Sequence, residues 1–403
     1  MSRHEQNKET ADIIDNPNSL ADLCALLEKE TIIAFDTEFI REKTYFPEIA
    51  LIQVATEKES WLIDPLKLNK NDLKPLIQIF QNPAILKVLH AAQGDQECLF
   101  LSYEITAFPT LDTAVAASLL GMGDNIGLQK LLKESLGVEL EKGHARTDWT
   151  VRPLPHQLIS YAHSDVKYLV KLGKTLLSDL DKKNRKDWAL ELCQKWEKPE
   201  AYTFDAKNQI NKFAKSGRLN EKALLALEYL FEWRDQHARR VNIPRRRFVD
   251  DDVLIDLAKV RPLNKDHLGS FRGLNKGILN NFSDELLDIF QKVHDVPAQS
   301  LPKIAKPDIP TSRESRVIDV IQCFLKFLAD KNNITSRHLL GNDELLKVIR
   351  LQPKTKEELL ASGIISEGSY DLIGEDLLQI LNGKRALSIS VTPQGLDSKV
   401  VTM

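Results

Sequence analysis

The sequence predicts a mixed α/β domain of about 200 residues followed by two small all-α units. Three observations carry this prediction. Strand and helix signals alternate through the first half of the chain. The strand signal then stops, and short helical patterns punctuated by Gly and Pro follow. The 403 residues also exceed the length at which a single hydrophobic core usually stops growing.

Element by element, "TIIAFDTEF", "IALIQVAT" and "SWLIDP" are short, β-rich and bounded by turns. They lie close enough in the chain to form an antiparallel meander. "NDLKPLIQIF" reads as a helix, "AILKVLHA" as a further strand and "DQECLFLSYE" as a helix. After Leu111 the apolar spacing is helical, in "DTAVAASLLG" and then "IGLQKLLKESLG", whose Gly137 suits a C-cap. One long helix is expected through "PHQLISYAHSDVKYLVKLGKTLLSDL", with Pro155 near its first turn. Residues 1–205 thus make a mixed sheet covered by helices.

The polar stretch at 206–216 reads as a linker, and residues 217–296 as a first helical unit. A Pro-rich linker at 297–312 precedes a second unit at 313–390. Residues 391–403 read as a frayed tail. The two units have similar patterns, and each ends on an apolar helix, "FSDELLDIFQKV" and "IGEDLLQILNG".

A net charge of −3 points to neither a nucleic-acid nor a membrane partner by itself. Charge is uneven, however. Residues 206–296 carry 17 Lys and Arg against 13 Asp and Glu. The excess concentrates in "RDQHARRVNIPRRRF", with Arg239, Arg240, Arg245, Arg246 and Arg247. Such a run serves either to bind a phosphate backbone or as a solvated surface balanced by the "DDD" that follows. The four cysteines are scattered without zinc-ligand spacing and read as reduced thiols. No secretory signal and no apolar stretch of membrane-spanning length is found, so a cytoplasmic protein without a membrane partner is expected.

The chemistry-bearing residues begin in "FDTEF". On a strand, Asp36 and Glu38 point to one face, and two like charges so close are costly unless a cation neutralises them. Asp95 follows the strand "AILKVLHA" at the start of a helix, where an N-cap is the ordinary use of Asp. In "YAHSDVKYL", Tyr161 and Asp165 lie four apart and share a helix face with the apolar Leu158, Leu169 and Leu172. Burying an unpaired carboxylate there is expensive.

Together, "FDTEF", "HAAQGD" and "YAHSD" resemble, in order and spacing, the three motifs of the DEDD 3′–5′ exonucleases, whose catalytic domain is ribonuclease H-like. Tyr161, four before the last Asp, resembles the DEDDy branch. "DTEFIREKTYFPEIALIQVA" and "LEKGHARTDWTVRPL" look like ribonuclease D signatures. The two helical units resemble HRDC domains. "ALEYLFEWRDQHARRVNIPRRRFVDDDVLIDLAK" carries the first, and "SYDLIGEDLLQIL" the more divergent second.

The resemblance implies two divalent cations, Mg²⁺ or Mn²⁺, bridged by Asp36 and completed by Glu38, Asp95 and Asp165. It implies that Thr37 and Phe39 touch the terminal nucleotide. Because a phenol has an unperturbed pKa near 10, Tyr161 suits a positioner of the attacking water better than a full base. Arg146 and Arg152 are candidates for a substrate phosphate, with an ion pair to Asp148 as the alternative. Trp149 suits either base stacking or a core role. The expected activity is that of a monomeric 3′–5′ exoribonuclease. It would release 5′-mononucleotides from the 3′ ends of tRNA precursors and small structured RNAs, with the helical units binding nucleic acid. The rivals are a DNA 3′–5′ exonuclease of repair type and a catalytically silent nucleic-acid-binding protein.

Overall fold

The structure, a computed structural model, describes residues 13–140, 147–214, 219–301, 309–335, 339–392 and 395–402. They fall into two compact units. The first comprises the described residues of Met1–Phe39, Ile49–Ala201 and Pro310–Met403, and the second those of Ile40–Glu48 and Tyr202–Ile309.

The first unit is built on a six-stranded mixed sheet. Its strands are β1 (Ile13–Ile14), β2 (Ile32–Ile40), β3 (Glu48–Ala55), β4 (Ser60–Ile63), β5 (Leu86–Leu89) and β6 (Thr110–Asp112). They lie in the order β1-β4-β3-β2-β5-β6. β3 and β4 are antiparallel, while β2, β5 and β6 run parallel. Alternation along the strands sends side chains to two cores. Ile33 and Phe35 of β2, with Ile52 and Val54 of β3, pack against the helices Pro17–Leu27, Lys74–Gln81 and Gln93–Tyr103. Ala34 and Val88 face the other way, toward the helix Leu169–Lys182. Beside them Leu51 and Leu62 pack with Leu158 and Ala162 of the helix His156–Lys167.

Some elements depart from the sequence reading. β1, β6 and the helix Pro17–Leu27 have no counterpart in it. They are too short, or too ordinary in pattern, to stand out before a partner strand is known. The helix expected from Pro155 is two helices that meet at Tyr168. Gly137 does cap its helix in a left-handed conformation, with φ 68°.

The helices between Ser312 and Leu381 share the core formed by Leu169, Leu172, Leu176 and Trp188. Arg185 ties the two parts, donating at 2.7 Å to the carbonyls of both Leu119 and Asn332. The contact is close at Gly368, where any added Cβ would sit 2.4 Å from Cβ of Trp188. The expected frayed tail is instead an antiparallel ribbon, Arg385–Thr392 with Gly395–Thr402.

The second unit is helical. Its core gathers Leu224, Leu227, Phe231 and Trp233 from the helix Glu221–Arg240, Leu254 and Leu257 from Asp251–Val260, and Leu286 and Phe290 from Lys276–Asp295. Asn220, Asp250, Asn264 and Asn275 cap the helices that follow them, each accepting from a backbone N–H. The expected linker contains a helix, Ala206–Ala214. Ala206 and Ile210, one turn apart, are buried in this core, which outweighs the polar composition around them. Among the described residues no helix is long and apolar enough to cross a membrane.

Candidate active site

The acids meet on the sheet face that the helix His156–Lys167 covers. β2 delivers Asp36 and Glu38 on the same side as Ala34, one residue out of phase with the buried Phe35. Asp165 comes from the helix. One carboxylate oxygen from each of Asp36, Glu38 and Asp165 lies within 4.8 Å of the others.

Asp95 enters from the other direction. It is the third residue of the helix Gln93–Tyr103, whose N-cap is Ala92, so the N-cap reading fails. Instead Asp95 is buried and tied to β2. Its Oδ1 accepts from the backbone N–H of Thr37 at 3.0 Å and from Thr37 Oγ1 at 2.5 Å. The Thr37 N–H and hydroxyl are therefore used within the protein. A residue missed by that reading fixes the turn before Asp95. Asp112, at the end of β6, accepts from the N–H groups of Ala91, Ala92 and Ala114 at 3.0, 3.0 and 2.9 Å. The one available signal is an Asp followed by Thr at a helix start. It resembles any N-cap until β6 is placed beside β5.

The electrostatics are those of a site short of positive charge. Burial raises every one of these carboxyls, and the Asp36 charge adds to it at the other three. Burial pushes Asp36 up to about 6, against hydrogen bonds from Thr37 and Asp95. Burial together with Asp36 and Asp165 pushes Glu38 up to about 8. Burial and Asp36 push Asp165 up to about 7, against a hydrogen bond from Tyr161. Asp95 is raised well above the carboxylate range by burial and by Asp36, and hydrogen-bonds to Asp36. The Tyr161 phenol, raised above its ordinary value by burial and by Asp165, stays protonated and donates to Asp165. A set of oxygen-only ligands that prefers protons to bare charge fits a hard divalent cation.

Other predicted residues sit differently. All five N–H groups of Arg152 are engaged. Nε and Nη2 grip Asp64 at 2.6 and 2.8 Å, Nη1 donates to the carbonyls of Trp149 and Val151, and Nη2 also to that of Ala50. Arg152 is thus a structural clamp with no donor left for phosphate, and its ion-pair partner is Asp64, not Asp148. Asp148 turns to Thr150. Trp149 is buried, its ring 6.0 Å from that of Tyr161, a core aromatic. Phe39 packs into the core on the opposite sheet face from the acids. Arg146 lies outside the described residues.

In the second unit Arg245 donates to Asp235 and to the hydroxyl of Tyr45, both at 2.5 Å. It also covers the rings of Tyr45 and Phe204. Arg245 is thus engaged within its own unit through Nε and Nη2. Arg246 pairs with Asp251 at 3.0 Å from an exposed position. Arg247 is exposed.

A family model described as a 3′-5′ exonuclease matches residues 11–181, and an HRDC domain model matches residues 223–290. The chain is 32% identical over 387 residues to a ribonuclease D of Sphingobium indicum, covering 94% of this chain and 96% of that one. It is 31% identical to the ribonuclease D of Nitrobacter hamburgensis, covering 94% and 97%. Among solved structures, Escherichia coli RNase D, described as an exoribonuclease involved in structured RNA processing, matches with a TM-score of 0.77. That match has 26% identity and covers 92% of this chain and 98% of that chain.

The ribonuclease H-like sheet, the acid cluster and the helical HRDC domain define a metal-dependent 3′–5′ exonuclease. Within that class the chain belongs to the ribonuclease D family, and its activity is that of a 3′–5′ exoribonuclease.

Proposed function

We propose that Asp36, Glu38, Asp95 and Asp165 would hold two divalent cations, Mg²⁺ or Mn²⁺, and that the enzyme trims RNA 3′ ends one nucleotide at a time. The observation that carries this reading is the convergence of three carboxylate oxygens within 4.8 Å, with Asp95 hydrogen-bonded to Asp36 behind them. When bound, the cations activate a water and stabilise the leaving 3′-oxygen.

The residues do the rest. Asp36, Glu38 and Asp165 give up their protons to become ligands. Thr37 holds Asp95 against β2, so the fourth carboxylate is fixed before substrate arrives. Tyr161 keeps its proton and orients the attacking water by hydrogen bonding, since its raised pKa leaves almost no phenolate to accept a proton. The product is a 5′-mononucleotide.

The substrates are single-stranded 3′ ends of tRNA precursors and other small structured RNAs, as the relative from Escherichia coli, involved in structured RNA processing, suggests. The enzyme acts as a cytoplasmic monomer. The test uses 5′-labelled RNA and DNA of one sequence, each carrying a duplex stem and a 3′ overhang, with Mg²⁺, Mn²⁺ or EDTA. A stepwise RNA ladder that stalls at the stem and vanishes in EDTA is expected. Equal or faster DNA degradation would move the function to DNA repair. Binding without cleavage under either metal would make the protein a silent nucleic-acid binder.

A further inference from the structure

One buried polar side chain on the acid-bearing face is left without a partner. Gln53 of β3 is 0% exposed, and neither its Oε1 nor its Nε2 has a hydrogen-bond partner among the described residues. Burying both ends of a carboxamide unpaired is costly, and such groups call for a physical reason.

Its position supplies one. Ile52 and Val54, on either side of it, belong to the core on the far sheet face, together with Phe35 of β2. Gln53 therefore points to the near face, as Asp36 and Glu38 do. Its cross-strand partner is Leu62, which packs with Leu158 and Ala162 of the helix that carries Tyr161 and Asp165. β3 is the direct neighbour of β2, about 4.8 Å away. The amide thus lies beneath the helix that delivers Asp165 and beside the strand that delivers Asp36 and Glu38.

We propose that Gln53 is a positioning residue of the metal site, its carboxamide hydrogen-bonding the water shell of the bound cation and so setting cation affinity. The proposal rests on the acid cluster being the cation seat. A carboxamide suits the task because it donates and accepts without adding charge to an already acidic site. It remains unpaired within the fold because its partner arrives with the cation. Groups behind metal ligands typically change affinity by about 10–100-fold when removed.

The test replaces Gln53 with Met, which keeps the length and bulk of the side chain and removes both polar atoms. Mn²⁺ and Mg²⁺ binding is titrated calorimetrically on the full chain, and the melting temperature is read in EDTA. Gln53→Met is expected to raise the metal-free melting temperature and to weaken cation binding by about tenfold or more. Gln53→Asn, which keeps the amide but withdraws it by one methylene, is expected to fall between. Wild-type cation affinity in Gln53→Met would overturn the proposal, leaving Gln53 a core residue. A lower metal-free melting temperature would also overturn it, because the amide would then be partnered inside the fold. Asp36→Asn is the control. If it too binds cations as wild type does, the acid-seat reading has failed, independently of Gln53.

Discussion

The chain holds two clusters of like charge, and the protein treats them in opposite ways. Among the described residues no lysine or arginine figures in the shifts of Asp36, Glu38, Asp95 and Asp165, which are held above their ordinary range by burial and, for the last three, by Asp36. In the run from Arg234 to Arg247 the charges are mostly answered within the unit. Arg234 pairs with Asp251 at 2.7 Å, Arg245 with Asp235 at 2.5 Å, and Arg239 lies over the rings of Tyr45 and Phe46. Asn242 completes the arrangement by accepting from the N–H groups of Tyr45 and Phe46, both at 3.1 Å. A cluster whose compensation is built in is scaffolding. A cluster left uncompensated awaits a ligand.

The largest effects should come from breaking the uncompensated cluster. Asp36→Ala and Asp165→Asn are each expected to lower cleavage by on the order of 10²–10³-fold or more. Both should leave the metal-free fold at least as stable, because each removes a buried repelling carboxyl. Stopped-flow cleavage and thermal melting in EDTA read the two quantities. Near-wild-type cleavage by either variant would remove the acids from the mechanism.

Tyr161→Phe should be milder, about 10–100-fold slower, if the phenol orients the water as proposed and does not ligate. Cation affinity should be unchanged in the same variant. A parallel loss of affinity would make the hydroxyl a ligand and not an orienting group.

The pH response sharpens the contrast further. The metal-free carboxyls bind protons more tightly than in an unfolded chain, where acids titrate near pH 4. Their contribution to stability is therefore fully present below about pH 4. It is lost as pH rises through the values of about 6, 7 and 8 for Asp36, Asp165 and Glu38. Cations must displace these protons, so affinity should rise with pH across the same window, by up to about tenfold per unit for each proton released. The melting shift given by Mg²⁺ should be larger at alkaline than at mildly acidic pH. A shift independent of pH would mean the acids are already ionised.

How far the sequence carried this depended on range. Period-2 and period-4 spacing alone puts Asp36 beside Glu38 and Tyr161 beside Asp165, while Asp95 and the joining of the three motifs into one site came from the resemblance. What escaped was set by long-range pairing. Asp64 grips Arg152 across 88 positions, so neither residue announces the other. Gln53 sits in an apolar strand, and its missing partner shows only once the sheet is closed around it. The helix Ala206–Ala214 was hidden by polar neighbours, since Ala206 and Ile210 gain their importance only from the core they enter. The basic run stayed open between two readings: Asp235 within it and Asp251 of the DDD after it supply counter-charges, while the Tyr45 hydroxyl, 200 positions away from Arg245, joins only through the fold.

The smallest expected effects lie within that run, and they separate scaffold from surface most finely. Arg245 satisfies Asp235 and Tyr45 and stacks on Phe204, so Arg245→Ala should destabilise the second unit by about 1–3 kcal/mol. Arg247 is exposed, and its side chain makes no hydrogen bond or ion pair among the described residues, so Arg247→Ala should leave stability within about 0.5 kcal/mol. If this face meets RNA, Arg247 is the arginine free to do so. Its loss should then weaken RNA binding and reduce the dependence of log affinity on log salt by about one phosphate contact. Denaturant titrations and salt-dependent RNA binding on the two variants give four numbers. The contrast holds if Arg245→Ala changes stability and Arg247→Ala changes the salt slope. If Arg247→Ala changes neither, the basic run has no part in binding RNA through this residue.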